Sequence, residues 1–401
     1  MSALAIDGGT PTRTAPLAPW PSVAEDEIDA VTRVLRSGKI NYWTGTETRD
    51  FEREYAASIG AGHAIAVANG TVSLELLLHA HGIHCGDEVI VTPRSFMASV
   101  SAPYARGCRP VFADIDANTQ ALSAETIAPK LTDKTRAIIV VHLGGMPADM
   151  APIMDLATAH DLVVIEDCAQ AHGARYRGQA LGTIGHSGSW SFCQDKILTT
   201  GGEGGLIATS DEEVWRSAWA FKDHGKSYEA VYEREHPPGY RWLIESFGTN
   251  MRMTEMQGAF GRVVLGKLPE WVATRRRHAE RLTERLSPLP ALRIPSVPDD
   301  VEHAWYKYYA FVRPDALADG WDRDRIMTAI QAEGIPCFSG SCSELYLEKA
   351  VPAALRPTEP LPVAKELGET SLMWMVHPTL SDSDIDDTAT AIERVFARAT
   401  R

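Results

Sequence analysis

Two polar residues of this sequence could act together in chemistry, one at the end of an apolar run and the other directly before a glycine-rich stretch. Asp167 ends the apolar run 163–167, and Lys196 comes later, directly before a glycine-rich stretch, 199–205. A lysine amine can bond to the aldehyde of pyridoxal 5'-phosphate (PLP), and a carboxylate can keep the PLP ring nitrogen protonated. The pattern therefore predicts that Lys196 carries PLP and that Asp167 pairs with its ring nitrogen.

Asp167 alone has a simpler interpretation. A carboxylate that follows an apolar strand is often a turn residue or the N-cap of a helix. Parallel sheets, however, present functional side chains where their strands end, which is where Asp167 is predicted to lie. The combination with Lys196 and its glycine-rich loop favours a functional carboxylate.

Five further residues could complete a PLP site, although each has a structural alternative. Gly70 and Thr71 lie at a predicted junction of strand and helix, where a helix N-terminus attracts phosphate or Thr71 simply caps the helix. Ser191 could donate a hydrogen bond to the phosphate or be an ordinary buried serine. Phe96 could stack on the ring or lie in the core. Gln170 could reach the ring hydroxyl if its loop turns back.

Short apolar runs rich in β-branched residues alternate with helical patterns from residue 60 onward. The predicted strands are 64–67, 87–91, 110–112, 137–141, 162–165, 188–192 and 205–208, with helical patterns such as 123–131 and 151–160 between them. This alternation is typical of an α/β fold with a mostly parallel sheet covered by helices on both faces.

The two ends of the chain differ from this pattern. Residues 1–20 are rich in Pro and Thr and are predicted to form an extended arm rather than a packed element. A long helix is predicted over 254–286, and several prolines follow it. We therefore predict a large PLP-binding domain with its arm over 1–288 and a smaller C-terminal α+β domain over 289–401. The predicted elements outside the central alternation are helices 24–36, 323–333 and 383–399 and a strand within 305–312.

Bulk composition excludes several classes of protein. The net charge of −14 argues against nucleic acid as a partner. No apolar run reaches the length of about 18 residues that a membrane span needs, and the N-terminus lacks the pattern of a signal peptide. We therefore expect a cytoplasmic protein without a membrane partner. The six cysteines lack metal-ligand spacing, so free thiols and no metal site are expected.

Four motifs occur together in order: 69–71, 166–173, Ser191-Phe192 leading to Lys196, and 199–205. Together they resemble the DegT/StrS-type sugar aminotransferases, which are PLP-dependent enzymes of fold type I related to aspartate aminotransferase. The resemblance runs from about Gly38 to His377 and covers nearly the whole chain.

The resemblance implies a role for each matching residue. Lys196 would carry PLP and shuttle protons, Asp167 would hold the ring nitrogen, Gln170 the phenolic oxygen, and Phe96 would stack on the ring. Thr71 and Ser191, with the backbone of Gly70 and Thr71, would hold the phosphate. Asn250 resembles the family's asparagine that reaches the phosphate of the partner subunit, which implies a homodimer with shared active sites.

The implied reaction is a transamination in two half-reactions, which suits amino-sugar biosynthesis for surface polysaccharides or secondary metabolites. L-Glutamate would convert PLP to pyridoxamine 5'-phosphate, and a keto-sugar, carried on a nucleoside diphosphate, would then take the amine. The alternatives are a cyclitol or other ketone without a nucleotide, and a sugar dehydration; the latter goes with histidine at the lysine position, whereas this chain has Lys196.

Substrate contacts are less defined by the sequence. The candidates for a diphosphate or for the donor carboxylates are Lys39, Arg94, Arg252 and Lys307. The segment 337–344 differs from the usual family pattern near the substrate, so the family's contacts do not carry over there.

Overall fold

A computed structural model describes residues 3–236, 238–239 and 241–401 of the 401-residue chain. Its β-strands, in chain order, are β1 His63–Val67, β2 Glu88–Val91, β3 Arg109–Phe112, β4 Thr135–Val141, β5 Val163–Asp167, β6 Arg175–Tyr176, β7 Gln179–Ala180, β8 Ser187–Ser191, β9 Gly205–Thr209, β10 Leu292–Arg293, β11 Val301–Glu302, β12 Tyr308–Val312 and β13 Ser371–Trp374. Each of the seven strands predicted within 60–210 is present, because each combines a short apolar run with flanking polar or glycine residues.

Seven strands form a central sheet in the order β1-β9-β8-β5-β4-β2-β3. The neighbouring pairs from β8 through β5, β4 and β2 to β3 are parallel, whereas β9 runs antiparallel to both β8 and β1. The sheet is therefore mostly parallel, as predicted. Parallel strands end at one edge, and β5 ends there with Asp167.

The helices are α1 Glu25–Ser37, α2 Glu47–Ile59, α3 Gly70–Ala80, α4 Ala98–Ala105, α5 Ala124–Ile127, α6 Met150–Ala159, α7 Glu212–Lys222, α8 Tyr228–Tyr232, α9 Glu255–Leu286, α10 Arg323–Ala332, α11 Pro362–Thr370 and α12 Asp382–Ala399. Side chains of the strands alternate between two apolar cores, one on each face of the sheet. One core joins the sheet to α2, α6 and α9, and the other joins it to α3, α4 and α7. Both faces are thus covered by helices, which confirms the predicted α/β class.

A second layer of structure lies at the C-terminal end of the chain. Strands β10, β12 and β13 form an antiparallel sheet, and a third apolar core packs it against α10, α12 and the end of α9. The predicted domain boundary after residue 288 falls just beyond α9 and stays a prediction. The strand predicted within 305–312 begins only at Tyr308, because Trp305 has a φ of 51°, which an extended strand excludes.

The N-terminal arm differs from the prediction of an unpacked extended segment. Leu4 is 2% exposed and belongs to the C-terminal core. The carboxylate of Glu333, which follows α10, accepts hydrogen bonds from the backbone N–H groups of Ala5 and Thr12. The arm is therefore fastened to the C-terminal layer. Proline and threonine content alone carries no sign of these partners, which are more than 300 residues away in sequence.

Across the described parts of the chain, no helix combines the length and the apolar character needed to span a membrane.

Candidate active site

Lys196 lies in the loop between β8 and β9. Its side chain is 16% exposed, and its Nζ lies 4.0 Å from Oδ1 of the neighbouring Asp195. The backbone of Lys196 is fixed at both polar atoms: its N–H donates to Cys193 at 3.0 Å, and its carbonyl accepts a hydrogen bond of 2.9 Å from the indole of Trp20. The amine is thus accessible but placed by a well-anchored backbone.

The loop that follows Lys196 needs its glycines. Gly201 and Gly202 have φ angles of +85° and +121°, which side chains with a Cβ rarely adopt. The hydroxyl of Thr199 accepts a hydrogen bond of 3.2 Å from Gly202 N–H and donates one of 2.9 Å to the carbonyl of Phe192. This tight turn returns the chain into β9 beside β8.

Asp167 is 6% exposed at the end of β5. Its Oδ2 accepts a hydrogen bond of 3.0 Å from the hydroxyl of Ser99, and its Oδ1 accepts one of 3.2 Å from the N–H of Ala169. Burial raises the pKa of this carboxyl group above its usual value, while the two hydrogen bonds and the charge of Lys196 act in the opposite direction. A cationic group beside the carboxylate would therefore be stabilised.

Thr71 and Ser191 meet where α3 begins. Asn69 caps the helix, and its Oδ1 accepts hydrogen bonds of 3.1 Å from the N–H groups of Thr71 and Val72. Gly70 lies so close to Ser191 that an added Cβ would be 2.6 Å from the Cβ of Ser191. The hydroxyl of Ser191 accepts a hydrogen bond from Cys193 N–H and keeps its own proton free to donate. These hydroxyl groups and the positive end of an 11-residue helix suit an anion.

Gln170 follows Asp167 by three residues, and Phe96 precedes Ser99, a hydrogen-bond partner of Asp167, by three residues. Gln170 is 6% exposed, and its Oε1 accepts a hydrogen bond of 2.8 Å from Gly144 N–H, so its amide NH₂ remains the group that can donate to a ligand. Phe96 is 72% exposed, and its carbonyl accepts from the N–H of Ser99, the residue that contacts Asp167. A large apolar ring exposed beside a buried carboxylate is available for stacking.

These residues fit PLP. The group needs an amine for its aldehyde, a carboxylate for its ring nitrogen, a donor for its phenolic oxygen and donors for its phosphate. The structure places Lys196, Asp167, Gln170, Thr71 and Ser191 around the same edge of the sheet, where the β5–β8 pairing sets Asp167 opposite Ser189, two residues before Ser191.

Comparisons with known proteins give the same result. Residues 21–393 match the DegT/DnrJ/EryC1/StrS aminotransferase family. The chain belongs to this family.

Three similar proteins illustrate the relationship. The L-glutamine:2-deoxy-scyllo-inosose aminotransferase of Streptomyces kanamyceticus is 37% identical over 84% of this chain and 79% of its own length. The spore coat polysaccharide biosynthesis protein SpsC of Bacillus subtilis (strain 168) is 33% identical over 94% of this chain and 96% of its own. The crystal structure of an aminotransferase from Psychrobacter cryohalolentis is 54% identical, with a TM-score of 0.94 over 95% of this chain and 99% of that one.

These findings confirm the family, the fold and the class of enzyme that the motifs predict. The protein is a PLP-dependent aminotransferase of fold type I, and solved structures of the same fold include PLP and pyridoxamine phosphate forms.

Asn250 lies on an exposed segment of this DegT/StrS aminotransferase. The carbonyl of Met251 accepts a hydrogen bond of 2.9 Å from Ala68 N–H, so the segment runs beside the loop that leads into α3. The amide oxygen of Asn250 accepts a long hydrogen bond of 3.3 Å from Arg252 N–H, and its side chain is exposed.

His172 is a buried residue beside the site, in the loop after β5. It is fully buried, and its Nε2–H donates to the carbonyl of Ser191 at 2.9 Å while its Nδ1 accepts from the Tyr55 hydroxyl at 3.0 Å. Burial lowers the pKa of His172 to about 3, so its ring is neutral. His172 therefore holds the end of β8, which carries Ser191. Its spacing to the other motifs gave no signal of this contact.

The residue before Asp167 anchors the same strand. Glu166 is fully buried, and its carboxylate accepts hydrogen bonds from His142 Nε2 and from the N–H groups of Gly182, Ile184 and Gly185. Glu166, His142 and Cys168 offer ligand atoms within 4.8 Å of one another. Because four hydrogen bonds hold the Glu166 carboxylate, we interpret this cluster as a structural support for β5.

Two of the four basic residues considered for substrate are already engaged. Arg94 is fully buried, with Nε donating to Gln120 Oε1 at 3.1 Å and one terminal nitrogen donating to the carbonyl of Ser341 at 3.3 Å. Arg252 pairs with the buried Asp223 at 2.7 Å. Arg94 thus fastens the atypical 337–344 segment to the loop before Phe96. This role depends on partners distant in sequence.

Tyr306 is a further neighbour of Lys196 that the sequence did not single out. Its hydroxyl donates a short hydrogen bond to Asp195, the residue before Lys196. The Nζ of Lys196 lies 5.0 Å from the centroid of the Tyr306 ring. The segment before β12 therefore forms one wall beside the reactive amine, close enough for a cation–π contact.

Proposed function

We propose that this aminotransferase moves an amino group from L-glutamate to the ketone of a sugar carried on a nucleoside diphosphate. The single observation that supports this most directly is the accessible amine of Lys196 beside the edge of the sheet where the buried Asp167 ends β5. When bound, PLP supplies the electron sink that lets an amino group leave one carbon and join another.

In this proposal Lys196 takes and returns the proton at the reacting carbon through its Nζ. Asp195 and Tyr306 keep that amine near the sheet edge through the contacts described above. Asp167 holds the proton on the ring nitrogen, and the Ser99 hydroxyl and the Ala169 N–H orient its two oxygens.

The remaining site residues bind and orient in this proposal. Thr71, Ser191 and the backbone at Gly70 hold the phosphate at the start of α3. The amide NH₂ of Gln170 donates to the phenolic oxygen, because its oxygen is held by Gly144. Phe96 stacks on the exposed face of the ring and excludes water from it.

We also propose a cytoplasmic homodimer in which Asn250 reaches the phosphate of the second subunit. The exposed Asn250 side chain and its weak contact of 3.3 Å within its own subunit support this. Acidic net charge makes nucleic acid an unsuitable partner. A mixed-dimer experiment would test the arrangement: subunits with Lys196→Ala and subunits with Asn250→Ala should regain part of the activity when mixed.

A second acceptor is favoured by a specific observation. A cyclitol ketone carries no diphosphate, and Arg252, one of the basic residues considered for a diphosphate, is occupied by its ion pair with Asp223. The Streptomyces kanamyceticus relative is named for an inosose acceptor and for L-glutamine as donor. Both donors therefore belong in the test.

The deciding experiment is an absorbance spectrum of the PLP-loaded protein with each donor. A band near roughly 410–420 nm indicates the cofactor bound to a lysine, and a donor should move it to about 330 nm. Nucleotide keto-sugars and cyclitol ketones are then screened for return of the first band. A spectrum that neither L-glutamate nor L-glutamine changes would contradict the proposed donors. Return of the band with cyclitols alone would replace the nucleotide sugar as acceptor.

A further inference from the structure

The side-chain ammonium group of Lys307 has no oxygen partner within the described residues. It lies directly before β12, its side chain is half-buried, and its Nζ contacts the sulfur of Met375 at 3.2 Å. A thioether is only a weak acceptor. Within the described residues no carboxylate comes within 4.0 Å of this Nζ, in contrast to the cationic groups of Lys226, Arg252 and Lys267. A half-buried ammonium without an anion is costly and marks a place for one.

This cation lies close to the reactive amine. The Nζ of Lys307 is 4.6 Å from the centroid of the Tyr306 ring, and the Nζ of Lys196 is 5.0 Å from the same centroid. The two amines are therefore no farther apart than the sum of these distances. Tyr306 is in turn fixed by Asp195. The side-chain amines of Lys307 and Lys196 thus both lie beside the ring of Tyr306.

The surrounding charge favours an anion. Lys196 and Arg275 act on Lys307 as neighbouring positive charges, and Asp195 acts on it as a negative one, while Asp167 interacts with Lys196. Arg275 is buried, and two of its nitrogens have no hydrogen-bond partner within the described residues. Desolvation lowers the pKa of Lys307 to about 8, with Arg275 and Lys196 acting in the same direction and Asp195 opposing them. An entering carboxylate would offset this desolvation.

The other basic candidates do not share this position. Arg252 pairs with Asp223. Arg94 donates to Gln120 and Ser341, and although its second terminal nitrogen has no hydrogen-bond partner within the described residues, no ring contact joins it to Lys196. Lys39 is exposed in the loop after α1. Of the four, Lys307 is the one that shares a ring contact with Lys196.

We propose that Lys307 binds the α-carboxylate of the amino donor, an inference that rests on the proposed transamination. In an α-amino acid one carbon separates the reacting nitrogen from the carboxylate, so the carboxylate site must lie beside Lys196. A diphosphate lies several bonds from the ketone of a sugar and needs a more distant cation. L-Glutamate and L-glutamine share this carboxylate, and neither acceptor class has it, so Lys307 serves the donor half-reaction.

The test uses PLP-loaded Lys307→Met and Lys307→Arg proteins, with Lys134→Met, at an exposed position directly before β4, as a matched control. The half-saturating concentrations of L-glutamate and L-glutamine are measured from the loss of the 410–420 nm band, and calorimetry gives the Kd of 2-oxoglutarate. Lys307→Met should raise all three values about tenfold or more, because it removes one charged hydrogen bond. Lys307→Arg should restore much of the binding. Lys134→Met should match the unaltered protein.

The outcomes separate this inference from the proposed function. If the unaltered protein responds to a donor and Lys307→Met leaves both donor half-saturation and the Kd of 2-oxoglutarate unchanged, the inference is wrong and the transamination stands. If Lys307→Met instead raises the half-saturating concentration of the acceptor alone, Lys307 belongs to the acceptor and the inference is also wrong. If no donor changes the spectrum of the unaltered protein, both the donor assignment and this inference fail.

Discussion

The hydroxyl of Ser99 donates a hydrogen bond of 3.0 Å to Oδ2 of Asp167. Ser99 lies in the first turn of α4, and Asp167 is the last residue of β5, so this contact joins the helix that follows the Phe96 loop to the sheet edge. The second oxygen of Asp167 accepts from Ala169 N–H. Both oxygens of the Asp167 carboxylate are therefore held in place by the protein itself.

Asp167→Asn should slow the first half-reaction with PLP bound by about 10- to 100-fold, because one charge-assisted hydrogen bond contributes roughly 1.5–3 kcal/mol. Ser99→Ala should slow it less, since Ala169 still orients the carboxylate. Stopped-flow absorbance measures both rates. Asp161→Asn is the matched control, because Asp161 is exposed on the turn before β5 and its φ of 53° suits asparagine. Equal rates for Asp167→Asn and the control would contradict the role of Asp167.

Thr71→Val should weaken the binding of PLP by about tenfold or more, because the phosphate loses a hydrogen bond at the start of α3. The isosteric change keeps the shape of the side chain, and the Asn69 cap uses the backbone of Thr71 and stays intact. Titration of the cofactor-free protein with PLP gives the Kd. Thr158→Val, on the exposed end of α6, should leave this Kd unchanged.

The strands of the central sheet could be predicted from sequence because their apolar runs are local. Helix α2 was missed, since its many charged residues mask Phe51 and Tyr55, which are buried against the sheet. The candidate PLP-binding residues could also be predicted, because they occur in short motifs. The environments of His172 and Lys307 could not be predicted, because each includes a residue more than 60 positions away in sequence.

His172 should make the protein sensitive to acid. Its folded pKa, lowered by burial to about 3, lies below the ordinary value of 6.5, so the unfolded chain binds the proton first as pH falls. The stabilising contribution is complete above pH 6.5 and decreases toward pH 3. At pH 5, protonation of His172 in the unfolded chain should lower the free energy of unfolding by about 2 kcal/mol.

Urea unfolding of the unaltered protein and of His172→Gln at pH 7.5 and pH 5 measures this effect. Glutamine keeps an N–H donor for the Ser191 carbonyl but does not titrate. The variant should therefore lose less stability between the two pH values. Parallel losses in the two proteins would show that His172 does not titrate on unfolding.

Lys222 and Glu52 should be coupled in stability. Lys222 is fully buried, its Nζ has no hydrogen-bond partner within the described residues, and it lies 3.8 Å from the centroid of the Tyr42 ring. Burial raises the pKa of Glu52 to about 7, and the charge of Lys222 opposes this rise. Without Lys222, Glu52 would be buried without a nearby cation to favour its ionised form.

Burial also lowers the pKa of Lys222 to about 8, so Lys222→Met removes a buried cation as well as the partner of Glu52. Relative to the unaltered protein, the variant should therefore be less stable at pH 8 than at pH 6. The sign follows because a carboxyl with a raised folded pKa stabilises the protein below its unfolded pKa and loses that contribution as pH rises. Glu52→Gln combined with Lys222→Met should remove the pH dependence. Denaturant unfolding of both single variants and the double variant gives the coupling energy, and additive losses would disprove it.

The contact between the two ends of the chain has a consequence for biosynthesis on the ribosome. The carbonyl of Pro19 accepts a hydrogen bond from the Thr379 hydroxyl 360 positions later, and Trp20, which also donates to the backbone of Lys196, stacks on His377. The central sheet can begin to form while the chain is still being synthesised, but this closure requires residues 377–379 to have been translated. The nascent protein should therefore acquire its sheet first and its finished catalytic centre only after residue 379 has left the ribosome.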